Sequence, residues 1–270
     1  MSDAGRSSAG RIAAVRAAAT YELVVEQMRK AIYLGRFLPG EKLPPERELA
    51  NQMGVSRTTI REAVRVLEGE GLISVRRGAS GGLVVLGHQP LSSRQVEAWL
   101  RTQEGMIDTV FDFRLAVECT AAALAAERRS SGDLVALEAA LDRMEELSAT
   151  PEARRQTENI ARFFAADSAF HLGIATASKN ELLIKAVEEA RAAMFLPIGS
   201  VFRKLEDNAN AHHAAVFQAI KRRRADVAAD EMRRHIEGTR SSLRRFLAGA
   251  LARGSGGNGR AAQVARRRSA

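Results

Sequence analysis

The stretch Leu43-Pro44-Pro45-Glu46-Arg47-Glu48-Leu49-Ala50, followed by Gly54-Val55-Ser56-Arg57-Thr58-Thr59-Ile60-Arg61-Glu62-Ala63-Val64, decides the fold of the N-terminal part. It reads as two short helices joined by a tight turn. Leu49, Ala50, Met53 and Val55 supply the apolar contacts between them. Gly54 stands where the turn needs positive φ, and Ser56 is a good N-cap for the second helix. Arg57, Thr58, Thr59 and Arg61 then fill the first turn and a half of that helix. The first turn of a recognition helix enters the major groove, where Arg and Thr suit guanine edges, phosphates and thymine methyls.

The flanks agree. Residues 21–34 carry a helical stripe of Leu23, Val24, Met28, Ala31 and Ile32, and Gly35 to Gly40 break it. Two β-prone runs, 72–76 and 83–86, flank a glycine-rich tip at 78–82, the signature of a hairpin. The sequence therefore predicts a mainly α protein, beginning with a winged helix-turn-helix over 21–87 that has a small β-hairpin wing.

From residue 92 the pattern is helical, with segments at 92–101, 106–129, 132–147, 153–177, 181–201, 205–223 and 225–252. It predicts an all-α helical bundle over 92–250, joined to the head by a linker at 88–91. Residues 1–20 and 251–270 read as basic, disordered tails.

The formal net charge of +9 is unevenly spread: +2 over 1–20, +2 over 21–88, zero over 89–252 and +5 over 253–270. On charge grounds the bundle is no nucleic-acid surface. The single cysteine, Cys119, excludes an intrachain disulfide and reads as a small buried hydrophobe. Without an apolar run of about 18 residues or a signal-peptide core, a cytoplasmic protein with no membrane partner is expected.

Three bundle helices carry the chemistry. Ile160, Phe163, Phe164 and Ile174 mark the inward face of the 153–177 helix, and Asp167 and His171 lie on it one turn apart. His213 shares a face with Val216, Phe217 and Ile220, whereas His212 points about 100° away. His235 joins Ala228, Met232, Ile236 and Leu243. Burying such groups is costly unless something satisfies them. Three neutral imidazoles and one carboxylate suit a divalent Zn, Ni, Mn or Fe. Arg114 and Glu118 share the face of Ile107 and Phe111, either as a buried ion pair that fixes helix register or with the arginine free to grip a carboxylate. Asn180 reads as a helix N-cap.

Residues 21–86 resemble the DNA-binding head of the GntR family of bacterial transcriptional regulators, through P-G-E-K-L-P-P-E-R-E-L-A, G-V-S-R-T-T-I-R-E-A-V-R-V-L-E, G-L-I and R-R-G. That resemblance implies DNA contacts from Arg47, Arg57, Thr58, Thr59 and Arg61, and from Arg77 and Gly78 at the wing tip. Residues 106–245 resemble the FCD effector-binding domain of the FadR subgroup, through F-D-F-R-L-A-V-E, D-S-A-F-H-L-G-I-A-T-A-S-K-N, H-x-x-V-F-Q-A-I and M-R-R-H-I. The segment at 92–101 is similar to the longer FadR-type domain. Metal-bearing members use the counterparts of Asp167, His171, His213 and His235, and relatives bind small carboxylates beside the metal, which makes Arg114 the implied effector anchor.

The resemblance implies a homodimeric regulator, a repressor, that binds a palindromic duplex operator and answers to a small organic acid docked on a metal, with zinc the leading choice. Two alternatives start from the same cage: a metal-dependent hydrolase localised by its head, and a metal sensor.

Overall fold

The computed structural model describes residues 19–78, 81–86, 93–195 and 210–267, the side chains of 93–104, 195 and 250–267 excepted. The 88–91 linker, the N-terminal tail through residue 18 and the hairpin tip at 79–80 lie outside the described residues.

The head is built from α1 (Thr20–Tyr33), α2 (Glu46–Met53), α3 (Arg57–Gly69), β1 (Ile73–Arg76) and β2 (Gly82–Val85). Gly54 ends α2 in the left-handed region at φ 65°, and the Ser56 hydroxyl accepts from the Thr59 amide at 3.1 Å to start α3. Ile60, Ala63, Val64 and Leu67 face inward from α3 against Val24, Val25, Met28 and Ile32 of α1. Each large side chain so buried contributes about 1.5–3 kcal/mol. The wing strands are antiparallel, in the register Ile73↔Val85 to Arg76↔Gly82.

Residues 40–43 add something the sequence does not announce. The Leu43 amide donates to the Leu83 carbonyl and that of Gly40 to Val85, both at 2.8 Å, while the Val85 amide donates to Glu41 at 2.9 Å. The stretch lies along β2 like a third strand. Its glycine and following prolines hide any alternation of polar and apolar residues.

The second domain is a helical bundle of α4 (Ser93–Arg128), α5 (Ser131–Ser148), a short 3-10 turn (Ala153–Arg155), α6 (Thr157–Ala177), α7 (Glu181–Phe195), α8 (Ala211–Lys221) and α9 (Ala225–Arg267). The two helices expected at 92–101 and 106–129 are one continuous helix, α4. Gly105 reads as a break, but a single interior glycine costs only about 1 kcal/mol, which the packing of a long helix absorbs. The 181–201 and 205–223 segments are α7 and α8, and residues 196–209 between them lie outside the described residues. Instead of stopping at 252, α9 continues as helical backbone to Arg267 through the glycine run at 254–259, against the local propensity that marks an end there.

Buried Ala121, Ala122, Ala125 and Ala126 let α4 pack closely at the centre of the bundle. Phe111, Met144, Phe170, Ile174, Ile220 and Met232 fill the space around them. The ends are locally specified. Ser130 and Asp133 form a reciprocal capping box on α5, and Asn180 Oδ1 accepts from the Leu182 and Leu183 amides at 3.0 and 3.2 Å, capping α7 as expected. No helix among the described residues is long and apolar enough to cross a membrane.

Head and bundle touch. Gly35, at φ +72°, rests on α6 so closely that a Cβ there would lie 2.3 Å from that of Ala165. Tyr33 packs against both apolar cores.

Candidate metal centre and nucleic-acid interface

The predicted inward faces converge. Asp167 and His171 come from α6, His213 from α8 and His235 from α9, and one donor atom from each lies within 4.8 Å of all the others. All four side chains are buried, whereas His212 is exposed. Imidazole centroids are 5.5 Å apart for His171 and His213, 5.1 Å for His171 and His235, and 4.3 Å for His213 and His235. Asp167 Oδ1 faces His213 Nε2 at 2.8 Å and His171 Nε2 at 3.6 Å.

A second layer surrounds these four. Arg191 of α7, wholly buried, donates from Nη2 to Asp167 Oδ2, leaving Oδ1 toward the imidazoles. Glu118 of α4 sets Oε2 against His171 Nδ1, and its other oxygen accepts from Arg114 Nε at 2.6 Å. A carboxylate behind an imidazole sets its tautomer and turns the other ring nitrogen toward the centre. Arg114 Nη1 also meets the Met194 sulfur at 2.9 Å, while Arg114 Nη2 has no hydrogen-bond partner. The ion-pair reading of Arg114 is thus realised, with one donor left over.

The electrostatics are tightly coupled. Burial pushes the Asp167 pKa up, but the Arg191 charge and then the hydrogen-bonding imidazoles of His171 and His213 outweigh it, so the carboxyl sits well below its usual range. Glu118 behaves likewise: burial raises its pKa, and the Arg114 guanidinium and then the His171 ring packed against it more than reverse that. Burial lowers His213, against the pull of Asp167. It lowers His235 further, helped by His213 and His171. Two carboxylates therefore face two guanidiniums, and the fixed charge of the centre is about balanced.

The donors fit a cation. His171 Nε2 and His213 Nδ1 are buried without a hydrogen-bond partner, an arrangement that costs about 1–3 kcal/mol per group when nothing else satisfies it. Neutral nitrogens beside an ionised carboxylate are what a divalent borderline metal takes.

On the head, Arg47, Arg57 and Thr58 are exposed, Arg57 as the first residue of α3. Thr59 is half-buried and joins the cap, its hydroxyl 2.9 Å from that of Ser56. Arg61 is exposed but engaged, donating to Glu46 Oε2 at 3.0 Å. Arg77 and Gly78, the latter at φ 102°, are exposed at the end of β1. The groove between α3 and the wing is lined by Arg61, Arg65 and Arg77 together with Glu46 and Glu68.

Comparison with known proteins places both halves. The profile of "Bacterial regulatory proteins, gntR family" matches residues 20–82, and that of the FCD domain matches residues 109–238. An Escherichia coli protein whose name assigns it to regulation of the L-lactate dehydrogenase operon is 32% identical over 238 residues, covering 83% of this chain and 86% of its own. The chain belongs to the GntR family. The Uxu operon transcriptional regulator of Escherichia coli is 30% identical over 239 residues, covering 84% of this chain and 87% of its own. The Glc operon transcriptional activator of the same organism is 27% identical over 231 residues, covering 82% and 88%. This GntR-family chain is a DNA-binding transcriptional regulator with an FCD domain, and its relatives are regulators, not enzymes, which sets the hydrolase alternative aside.

The residue that sequence reasoning missed is Arg191. A usable signal was present: Arg191 stands four after Val187 and three before Met194, on a face both mark as buried. A lone charge on such a face asks for a partner.

Proposed function

We propose that this GntR-family regulator is a FadR-type homodimeric repressor, working at the nucleoid in the bacterial cytoplasm. Two α3 helices enter successive major grooves of a palindromic operator, through Arg57, Thr58, Thr59 and Arg61. Arg47 adds a contact beside them, and Arg77 and Gly78 reach the minor groove from the wing. In the bundle, Asp167, His171, His213 and His235 hold a divalent metal, best suited as zinc, with nickel, manganese or iron as the chemically allowed substitutes. When bound, the metal supplies a Lewis-acidic point for an oxyanion.

The observation that carries the effector class is the charge balance of the centre. Asp167 and Glu118 are already matched by Arg191 and Arg114. A divalent ion therefore leaves an uncompensated positive charge in a buried place, which favours a small anion. Arg114 Nη2, buried and without a partner, is the donor available to hold such an anion. The effector is a small organic acid. A relative named for the L-lactate dehydrogenase operon makes a 2-hydroxy acid the first to try. The acid releases DNA only if it binds the DNA-free arrangement more tightly.

The test is operator binding by fluorescence anisotropy, using duplexes selected from random DNA by the zinc-loaded protein. Adding small mono- and dicarboxylates, L-lactate among them, is expected to weaken affinity for one class by about 5–150-fold, and chelation removes the response. No response to any acid in the panel contradicts the effector reading. A response to zinc alone, indifferent to every acid, indicates a metal sensor instead.

A further inference from the structure

One helix touches both the cage and the head. On α7, Arg191 bonds Asp167 Oδ2 and lies 3.4 Å from the Ser168 hydroxyl. Two and three residues earlier on the same helix, Glu189 and Glu188 reach the head. Glu188 Oε1 accepts from Arg36 Nη2 at 2.5 Å and Glu189 Oε1 from Lys30 Nζ at 2.5 Å, with Lys30 also 4.0 Å from Glu188. Lys30 belongs to α1, which packs on α3, and Arg36 to the turn that follows α1. From Glu188 to Arg191 the helix rises only about 4.5 Å, so the two contacts sit on one stiff element. A second touch point lies nearby: Gly35 is pressed on Ala165 of α6, two residues before Asp167.

We propose that α7 is a rod that reports the charge state of the Asp167 cage to the DNA-binding head. The inference rests on the metal reading given under Proposed function and adds its route. Arg191 holds Asp167 as its counter-charge. A second cation beside Asp167 weakens that attraction and repels the guanidinium, and the interaction is strong because the place is buried. Arg191 cannot relax into solvent, since it is 0% exposed, so the shift is passed to the helix that carries it. At the far end the ion pairs are partly solvated, Arg36 being 56% and Glu189 66% exposed at the side chain. Such solvated pairs are individually weak, weak enough for a coupling of about 5–150-fold to rearrange them. The Gly35–Ala165 contact acts as the fulcrum. It has no room for a side chain, so the head turns on it and does not slide past.

The test uses the full chain, stripped with chelator and then loaded with zinc, with two readouts: bound zinc by equilibrium dialysis, and amide exchange of α1 and residues 34–38 by mass spectrometry. In the unsubstituted protein, zinc is expected to change exchange in that segment by about fivefold or more, the low end of allosteric couplings. The E188Q/E189Q double variant is expected to bind zinc with the same stoichiometry and affinity while its α1 exchange no longer responds. K30Q/R36Q, made from the head side, is expected to behave identically. An α1 response of full size in both variants overturns the rod, as does an unresponsive α1 in unsubstituted protein carrying stoichiometric zinc. Failure of the unsubstituted chain to take up zinc overturns the metal reading and this inference with it.

Discussion

Asp167→Ala lowers the stability of the metal-free protein by about 3–5 kcal/mol, the range for removing one partner of a buried ion pair. The loss arises because Arg191 stays behind, fully buried, without the carboxylate its Nη2 holds, and the Ser168 hydroxyl at 3.4 Å and Met194 sulfur at 3.9 Å carry no charge to replace it. The pair itself is not the source of so large a number. Replacing both charges together, as Asp167→Leu with Arg191→Met, is expected to recover most of the stability, since well-packed apolar residues commonly match or exceed a buried pair. Urea unfolding of the three proteins in chelator separates these outcomes. A loss below about 1 kcal/mol for Asp167→Ala would show that Arg191 has another way to be neutralised.

The same centre fixes how the metal-free protein responds to acid. Burial holds His213 and His235 in the folded protein below the ordinary histidine pKa of about 6.5. The unfolded chain therefore takes up protons first as pH falls past that point, and stability declines with it. Asp167 and Glu118 are also depressed, below the ordinary carboxyl values of about 3.9 and 4.3. Their stabilisation is present above those values and lost as pH falls toward their folded pKa values. Unfolding free energy thus falls in two stages, and Asp167→Ala removes the aspartate's share of the lower one.

Arg57→Ala weakens specific DNA binding by about 1–3 kcal/mol, or roughly 5–150-fold, without unfolding the chain. Arg57 opens α3 and is exposed, outside the apolar core that Ile60, Ala63, Val64 and Leu67 form beneath it. Removing it leaves the packing untouched. Arg61→Ala costs less, because Arg61 already holds Glu46 at 3.0 Å and must release it to engage DNA. Anisotropy titrations on specific and scrambled duplexes, over a range of salt, distinguish base from phosphate contacts. Unchanged affinity for Arg57→Ala would remove α3 from the interface.

The head is legible in the sequence because its punctuation is local. Gly54 takes the positive φ that its turn needs and Ser56 caps the helix it precedes. The third strand-like segment at 40–43 is not legible, since its pairing with β2 depends on residues some forty positions away. In the bundle, helical periodicity alone puts Asp167, His171, His213 and His235 on inward faces, and packing brings those faces to one point. Gly105 misleads, because propensity is local and weak while the packing of α4 is neither. The pairing of Arg191 with Asp167 joins two helices, and no spacing within either one encodes it.

The cage itself is tested most directly by metal content. Full-length protein and the His213→Ala/His235→Ala variant, both produced with zinc and dialysed, are compared by elemental analysis. The account predicts stoichiometric zinc in the first and none retained in the second. Full occupancy in the variant, or none in the unsubstituted chain, would contradict it.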